Sequence, residues 1–281
     1  MAYQVIPAHD GLPDINLLVT SDPGDIEDFL SGWEGRYHFG LDMEWKPSYE
    51  KGAPPNRSAL LTICNGPWVL AVDLVPWRKP RPAPFFDGLW SFLENESHTF
   101  YGMGLAQDLA RLAFEFDCLC DGVDFALRAW REIGPLSGGL TGLANRLLGT
   151  TVEQQKSVTR SNWDKRPLSE KQLQYLAEDA YLSWKIAARL FKTSQADANW
   201  LVTMDEMYGN GKQHLQHHLY VKQSVHDWSE AEMVWNQKQA IRQEEQREKQ
   251  RVKEQERKKR REAEREAEQE AAEQQATENG A

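Results

Sequence analysis

The chain has 281 residues, with 33 Lys and Arg against 43 Asp and Glu, a formal net charge of -10. Residues 236–281 hold 12 basic and 12 acidic side chains, so the whole deficit sits in residues 1–235. That balance argues against a protein that coats nucleic acid by bulk charge, and no apolar run nears the roughly 18–20 residues that span a bilayer. Three cysteines, Cys64, Cys118 and Cys120, suit a reducing compartment rather than a disulfide framework. The opening MAYQVIPAHDGLPD has no basic stretch followed by an apolar one, so an intracellular location, nuclear or cytoplasmic, is expected rather than secretion.

Residues 1–13, with two prolines and His9-Asp10-Gly11, read as an irregular arm. Ile15–Thr20 suits an edge strand. Ser21 or Asp22 then caps a helix to about Trp33, with Pro23 in its first turn and Asp25, Glu27 and Asp28 near its start. Three strand-like runs follow, Tyr37–Trp45, Ala59–Asn65 and Trp68–Leu74, the last two joined by the hairpin signal Asn65-Gly66. Pro76–Pro84 is a loop carrying Arg78, Lys79 and Arg81. A helix at Phe85–Glu94, a strand at Thr99–Gly102 and a helix at Leu105–Phe116 come next, then a less clear segment over Val123–Ile133. Further helices are expected at Leu140–Leu148 and at Ser169–Phe191, the second with Ser169 at its N-cap. Three consecutive strands followed by strand–helix alternation imply a mixed sheet covered by helices, an α/β layered domain over residues 14–195.

Beyond residue 196 the pattern weakens. Trp200, Met204, Met207, Trp228, Met233 and Trp235 suggest a helical extension over residues 196–235 that packs on the domain. Residues 236–281 form a tail whose bulk, 236–278, has no Gly or Pro and only Ile241 and Val252 as large apolar residues. A sustained coiled-coil seam is therefore absent, and a solvated charged helix or a disordered tail is expected, with a protein partner as its candidate ligand. Arg257-Lys258-Lys259-Arg260-Arg261 resembles a nuclear-import patch, although alternating charge is the plainer reading. His214, His217 and His218 lack a Cys or acid to complete a metal set and read as a polar helix face.

The chemistry is carried by carboxylates. Asp-x-Glu occurs twice, about as often as composition alone would produce. Asp25 and Glu27 lie on a helix, where residues i and i+2 do not share a face. Asp42 and Glu44 lie in the run Phe39-Gly40-Leu41-Asp42-Met43-Glu44-Trp45, a strand whose period of two sends both acids to one side. Two acids within an apolar strand are costly without a positive partner. No basic residue lies in that strand, so a hard cation such as Mg²⁺ or Mn²⁺ is the economical one. Asp108 follows the strand end Tyr101-Gly102-Met103-Gly104 about one turn into a helix, a place where ligands gather and where the helix dipole alone also favours an acid. Tyr175 and Asp179 stand four apart on one helix face, as catalytic pair or as core tyrosine bonded to an acid.

Taken in order, these three segments resemble the DEDD superfamily of 3′–5′ exonucleases, tyrosine-type branch, closest to the Werner-syndrome-type exonuclease domain with ribonuclease D as a broader relative. Leu147-Leu148-Gly149, the run Lys156-Ser157-Val158-Thr159-Arg160-Ser161-Asn162-Trp163 and the run Pro167-Leu168-Ser169-Glu170-Lys171-Gln172 reinforce it, and it covers about residues 14–192. The histidine branch would place His at position 174, which is Gln. Thr62 stands where many relatives carry Gln.

The resemblance implies a ribonuclease H-like fold with a mixed sheet of five to six strands flanked by helices. It implies a two-ion hydrolysis of phosphodiesters from single-stranded 3′ ends, with nucleoside 5′-monophosphates as products. Asp42 would bridge both ions, Glu44 and Asp179 would hold the ion of the attacking water, and Asp108 would help hold the second. Tyr175, with a free pKa of about 10, would position that water rather than act as a strong base. Met43, between the paired acids, joins Lys156, Arg160 and Trp163 as implied substrate contacts, with Trp163 either stacking on a base or lying in the core. Arg78, Lys79 and Arg81 are a weaker phosphate-binding group. An exoribonuclease trimming small or structural RNAs is one alternative, and an idle nuclease-fold scaffold recruiting partners through the tail is the other.

Overall fold

The structure, a computed structural model, describes residues 3–51, 53–78, 87–116, 130–133, 139–194 and 210–278. Expectations for Lys79, Arg81, Cys118, Cys120, Trp200, Met204 and Met207, and for the side chains of His214, His217 and His218, lie outside what is described. The chain divides into two compact units, Met1–Ser229 and Glu230–Ala281.

The first unit is built on one mixed sheet. Its strands are β1 (Gln4–Ile6), β2 (Ile15–Thr20), β3 (His38–Trp45), β4 (Ser58–Asn65), β5 (Trp68–Asp73), β6 (Thr99–Gly102) and β7 (Trp130–Glu132), in spatial order β1-β2-β5-β4-β3-β6-β7. β3, β4 and β5 run antiparallel as a meander, while β2 joins β5 and β6 joins β3 in parallel. The strand count exceeds the five to six expected. The extra member is β1, three residues of the arm read as irregular, which pairs antiparallel with β2 through Gln4–Leu17 and Ile6–Ile15. Three residues carry too little periodicity to register as a strand.

Helices cover both faces. They are α1 (Pro23–Ser31), α2 (Asp87–Leu93), α3 (Leu105–Phe116), α4 (Gly139–Leu148), the single-turn α5 (Lys156–Thr159), α6 (Glu170–Ser194) and α7 (Asn210–Glu278). Asp22 caps α1 by accepting from the Asp25 amide, as its position before Pro23 suggests. Ser169 and Gln172 form a reciprocal capping box ahead of α6, with the Ser169 amide donating to Gln172 Oε1 at 3.0 Å and the Gln172 amide to Ser169 Oγ at 3.3 Å. Alternation along β3 splits the interior in two. Phe39, Leu41 and Met43 enter a core with α1, α2 and α3, while Leu60, Tyr101, Trp163, Leu176 and Leu182 fill the other, under α6.

Val225 and Trp228, early in α7, pack against the first of these cores, whereas Met233 is exposed. The tail, for which helix and disorder were both open, is helical to Glu278. Among the described residues no helix is long and apolar enough to cross a membrane, and Cys64 is a buried free thiol.

Candidate active site

β3 is the central strand of the site. Its residues alternate faces, so Gly40, Asp42 and Glu44 point away from the Leu41–Met43 core toward α6. α6 can lie close to them because Gly40 has no side chain at the crossing. That contact brings Asp179 to the paired acids. One carboxylate oxygen from each of Asp42, Glu44 and Asp179 lies within 4.8 Å of the others.

The surroundings are dry. Glu44 is buried, Asp42 and Asp179 are half-buried, and Asp42 Oδ2 is enclosed without a hydrogen-bond partner. Burial first, and the hydrogen bonds to Met43 and Glu44 second in the opposite sense, leave the Asp42 carboxyl pushed up to about 6. Glu44 is raised well above the carboxylate range by burial and then by the charges of Asp42, Asp179 and Asp108. Asp179 is raised by burial and by Asp42, with the Tyr175 hydroxyl bond opposing the shift. Three acids crowded this way resist ionising together. A hard divalent cation is the group this arrangement fits: an all-oxygen donor set, repulsion in need of a counter-charge, and a buried lone pair with nothing to accept.

Asp108 stands in the first turn of α3, buried, after a turn in which Gly104 takes φ +81°. It is outside the tight trio, yet its charge reaches Glu44. One turn on, Arg111 lies with its guanidinium 3.7 Å over the Trp45 ring and 5.6 Å from that of Trp228. Burial lowers its pKa to about 10, against the charges of Glu115 and Asp108. Arg111 is therefore the cation built next to Asp108. Glu115 in turn accepts from the Ser58 amide at 2.7 and 2.9 Å and from its hydroxyl at 2.9 Å, tying α3 to the start of β4. Thr62, paired with Asp42 across the ladder, donates its hydroxyl to the Asp42 carbonyl at 3.0 Å. It steadies the backbone beneath the acid.

Tyr175 is half-buried on α6, hydrogen-bonded to Asp179, and its phenol is pushed above the usual tyrosine range by burial and by Asp179, Glu44 and Asp42. It stays protonated at any physiological pH. The helix position before it, Gln174, contacts His9 of the arm at 3.0 Å, and His9 Nε2 lies 2.5 Å from Glu178 Oε1. The arm thus clasps the helix that carries Tyr175 and Asp179, a link across 169 residues for which the sequence offers no local signal.

One expected substrate contact, ring stacking by Trp163, is corrected. Trp163 is completely buried, 6.0 Å from the Tyr175 ring, and its indole N–H donates to the Thr159 carbonyl at 3.3 Å, so no ring face is free for stacking. The Met43 side chain belongs to the core on the other face of the sheet, which leaves only its main chain toward the acids. Lys156 and Arg160 are exposed. The phosphate-binding role suggested for Arg78 also fails. Its guanidinium is committed to Asp164 at 2.7 Å and to the carbonyls of Arg57 and Ser58. Arg166, in the same basic run as Lys156, is likewise engaged, with Nε and Nη2 on the two oxygens of Asp73 at 2.6 and 2.5 Å.

A mixed sheet whose inner strand β3 brings two acids to a third on a helix laid across that face is a ribonuclease H-like arrangement with a site suited to a divalent cation. Residues 19–194 match the family model described as 3′-5′ exonuclease, and the chain belongs to that family. It is 29% identical over 150 residues to a 3′-5′ exonuclease of Arabidopsis thaliana, covering 52% of this chain and 50% of that one. It is 30% identical over 160 residues to the bifunctional 3′-5′ exonuclease/ATP-dependent helicase WRN of Mus musculus, covering 54% of this chain and 11% of that one. The chain thus spans half or less of the length of these relatives. Its fold is similar to that of Escherichia coli RNase D, described as an exoribonuclease involved in structured RNA processing, with a TM-score of 0.55, 19% identity, and coverage of 73% of this chain and 51% of that one.

Proposed function

We propose that this chain is a metal-dependent 3′–5′ exonuclease that hydrolyses phosphodiester bonds from single-stranded 3′ ends and releases nucleoside 5′-monophosphates. The observation that carries this reading is the convergence of Asp42, Glu44 and Asp179, with Asp42 Oδ2 enclosed and unpaired. Asp42, Glu44 and Asp179, with Asp108 beside them, would hold two divalent ions, Mg²⁺ or Mn²⁺. Such ions, when bound, lower the pKa of an attacking water and neutralise charge on the phosphate and the leaving oxygen.

The chain's own groups then have defined tasks. Asp42, within reach of both other acids of the trio, would be a ligand of the bound metal. Arg111, stacked on Trp45, places a positive charge near Asp108 and Glu115. Tyr175, a donor that does not release its proton, orients the attacking water from the Asp179 side. Among the described residues no cation offsets the charge of Asp42 or Glu44, so metal binding at this cluster would be coupled to proton release.

The substrate end needs local contacts only, which a net charge of -10 does not oppose. Lys156 and Arg160 are exposed for phosphates. Tyr49, 79% exposed on the loop after β3 with its hydroxyl 3.4 Å from the Arg160 carbonyl, is a ring that could stack on a base in place of Trp163. Likeness in fold to an enzyme described as processing structured RNA favours, as a second reading, an exoribonuclease acting on small or structural RNAs. An idle scaffold is the weaker reading, since all four acids and Tyr175 are present.

A 5′-labelled oligonucleotide incubated with Mg²⁺, Mn²⁺ or chelator should shorten one nucleotide at a time from its 3′ end only when metal is present. Matched DNA and RNA ladders assign the sugar preference. Asp42→Ala or Asp179→Ala should abolish shortening while binding persists; wild-type protein that leaves every ladder whole would sink the proposal.

A further inference from the structure

The neutral tail hides a separation of charge. Residues 236–261 carry 11 basic and 5 acidic side chains, whereas residues 262–278 carry 1 basic and 7 acidic. Within the basic half, Lys238, Arg242, Lys249, Lys253 and Arg257 are all exposed on α7. At about 100° per residue they fall within an arc of about 100°, spread over about 29 Å of helix. Gln246 fills the gap between Arg242 and Lys249. Glu244, Glu248 and Glu254 fall on other faces, Glu245 borders one edge of the arc, and helix position 256, also a glutamate, falls on that same edge with Lys238.

A helix that merely stays solvated gains from opposite charges four residues apart. Along this stripe the neighbours at that spacing are Lys238 and Arg242, Lys249 and Lys253, and Lys253 and Arg257. Each such like-charged pair opposes helix formation by about 0.2–0.5 kcal/mol. The pattern therefore gathers positive charge into a long, narrow stripe at some expense in helix stability, interrupted at Gln246 and with one opposing pair, Glu245 four residues before Lys249. Residues 1–235 carry 21 basic against 31 acidic side chains, so a polyanion gains no general attraction from the rest of the chain. A phosphodiester backbone is the partner whose evenly spaced charge matches a line of cations about 29 Å long.

We infer that the stripe of Lys238, Arg242, Lys249, Lys253 and Arg257 binds the phosphate backbone of nucleic acid, tethering the substrate at a place separate from the acidic cluster. This rests on the proposed nuclease function for its choice of partner, and the two are tested apart. The probe is a fluorescent single strand of about 30 nucleotides, as DNA and as RNA, titrated with the full chain in chelator across a range of salt. A fivefold Gln variant of the stripe is compared with Arg247→Gln/Arg251→Gln, which alters the other side of the helix.

The stripe variant should bind at least tenfold more weakly, and its slope of log affinity against log salt should be shallower by about 3 to 4, at about 0.7 per cation lost. The off-stripe pair should change the slope far less, and circular dichroism should show helix undiminished in both. Metal-supported hydrolysis of a tetranucleotide, too short to need a tether, should be unchanged. A stripe variant with wild-type affinity and salt slope overturns the inference while leaving the nuclease reading intact. Wild-type protein that fails to hydrolyse the tetranucleotide, yet binds the long strand through the stripe, sinks the nuclease reading and keeps the inference. Capture of anionic phospholipid vesicles in place of oligonucleotides, or salt-sensitive self-association in their place, assigns the stripe to another partner and overturns it.

Discussion

Gly40 on β3 meets Ala180 on α6 backbone to backbone: a Cβ at Gly40 would lie inside contact distance of the Ala180 carbonyl and 2.7 Å from the Trp184 nitrogen. Gly40 is two residues before Asp42, and Ala180 directly follows Asp179. This contact sets how closely the two acids approach. Gly40→Ala must push the helix outward, because neither backbone can yield locally. The expected cost is about 1–3 kcal/mol in urea unfolding, with hydrolysis falling more than tenfold. Wild-type stability and rate together would show that the helix is not pinned there.

Asp42, Glu44 and Asp179 all have carboxyl pKa values raised by burial and mutual repulsion. A raised acid binds its proton more tightly in the folded state, so its favourable contribution is present at low pH and lost as pH rises through the folded value. For Asp42 that window runs from its ordinary 3.8 to about 6. In chelator, the melting temperature should therefore drop by about 5 °C or more between pH 5 and pH 7.5. Saturating Mn²⁺ should reverse the trend. A chelated protein that gains stability over the same interval would contradict the crowded-acid description.

Tyr175→Phe removes the hydroxyl bonded to Asp179 and little volume. The rate should fall about tenfold or more, with the Mn²⁺ midpoint nearly unmoved. Because the phenol sits above the ordinary tyrosine range, the wild-type pH–rate profile should have no limb between pH 7 and 10 that vanishes in the variant. Such a limb, present in one and absent in the other, would make Tyr175 a titrating base.

Arg166 and Lys156 belong to one basic run but should part company on substitution. Arg166→Ala breaks the paired contact with Asp73 and the 2.6 Å bond to the Trp163 carbonyl. It should cost about 3 kcal/mol of stability and leave KM for an oligonucleotide near the wild-type value. Lys156→Ala and Arg160→Ala should do the reverse, raising KM severalfold at unchanged stability. Swapped phenotypes would make Arg166 a substrate contact and Lys156 and Arg160 structural.

Local periodicity made much of the fold and the acidic set readable. Asp42 and Glu44 stand out because two charges on one face of an apolar strand need an explanation, and Gly40 on that face is a signal of close packing that was there to be used. Tyr175 and Asp179 share a helix face whatever the tertiary structure. Long-range partnerships were out of reach. Arg166 finds Asp73 from 93 residues away, and a tryptophan flanked by Arg160 and Lys165 looks like a surface residue until the packing that encloses Trp163 is known. β1 pairs because β2 offers it an edge, a fact contained in neither segment alone.

Both outer strands of the sheet, β1 and β7, are only three residues long. A border so brief offers a neighbouring molecule almost nothing to extend. Stripping the first dozen residues would bare the outer side of Ile15–Leu17 and lengthen the open edge of β2 to its full six residues, a row of amides and carbonyls with apolar side chains between them. The shortened chain would be prone to aggregate even with its acidic centre untouched, making the arm a guard against self-adhesion as well as a clasp.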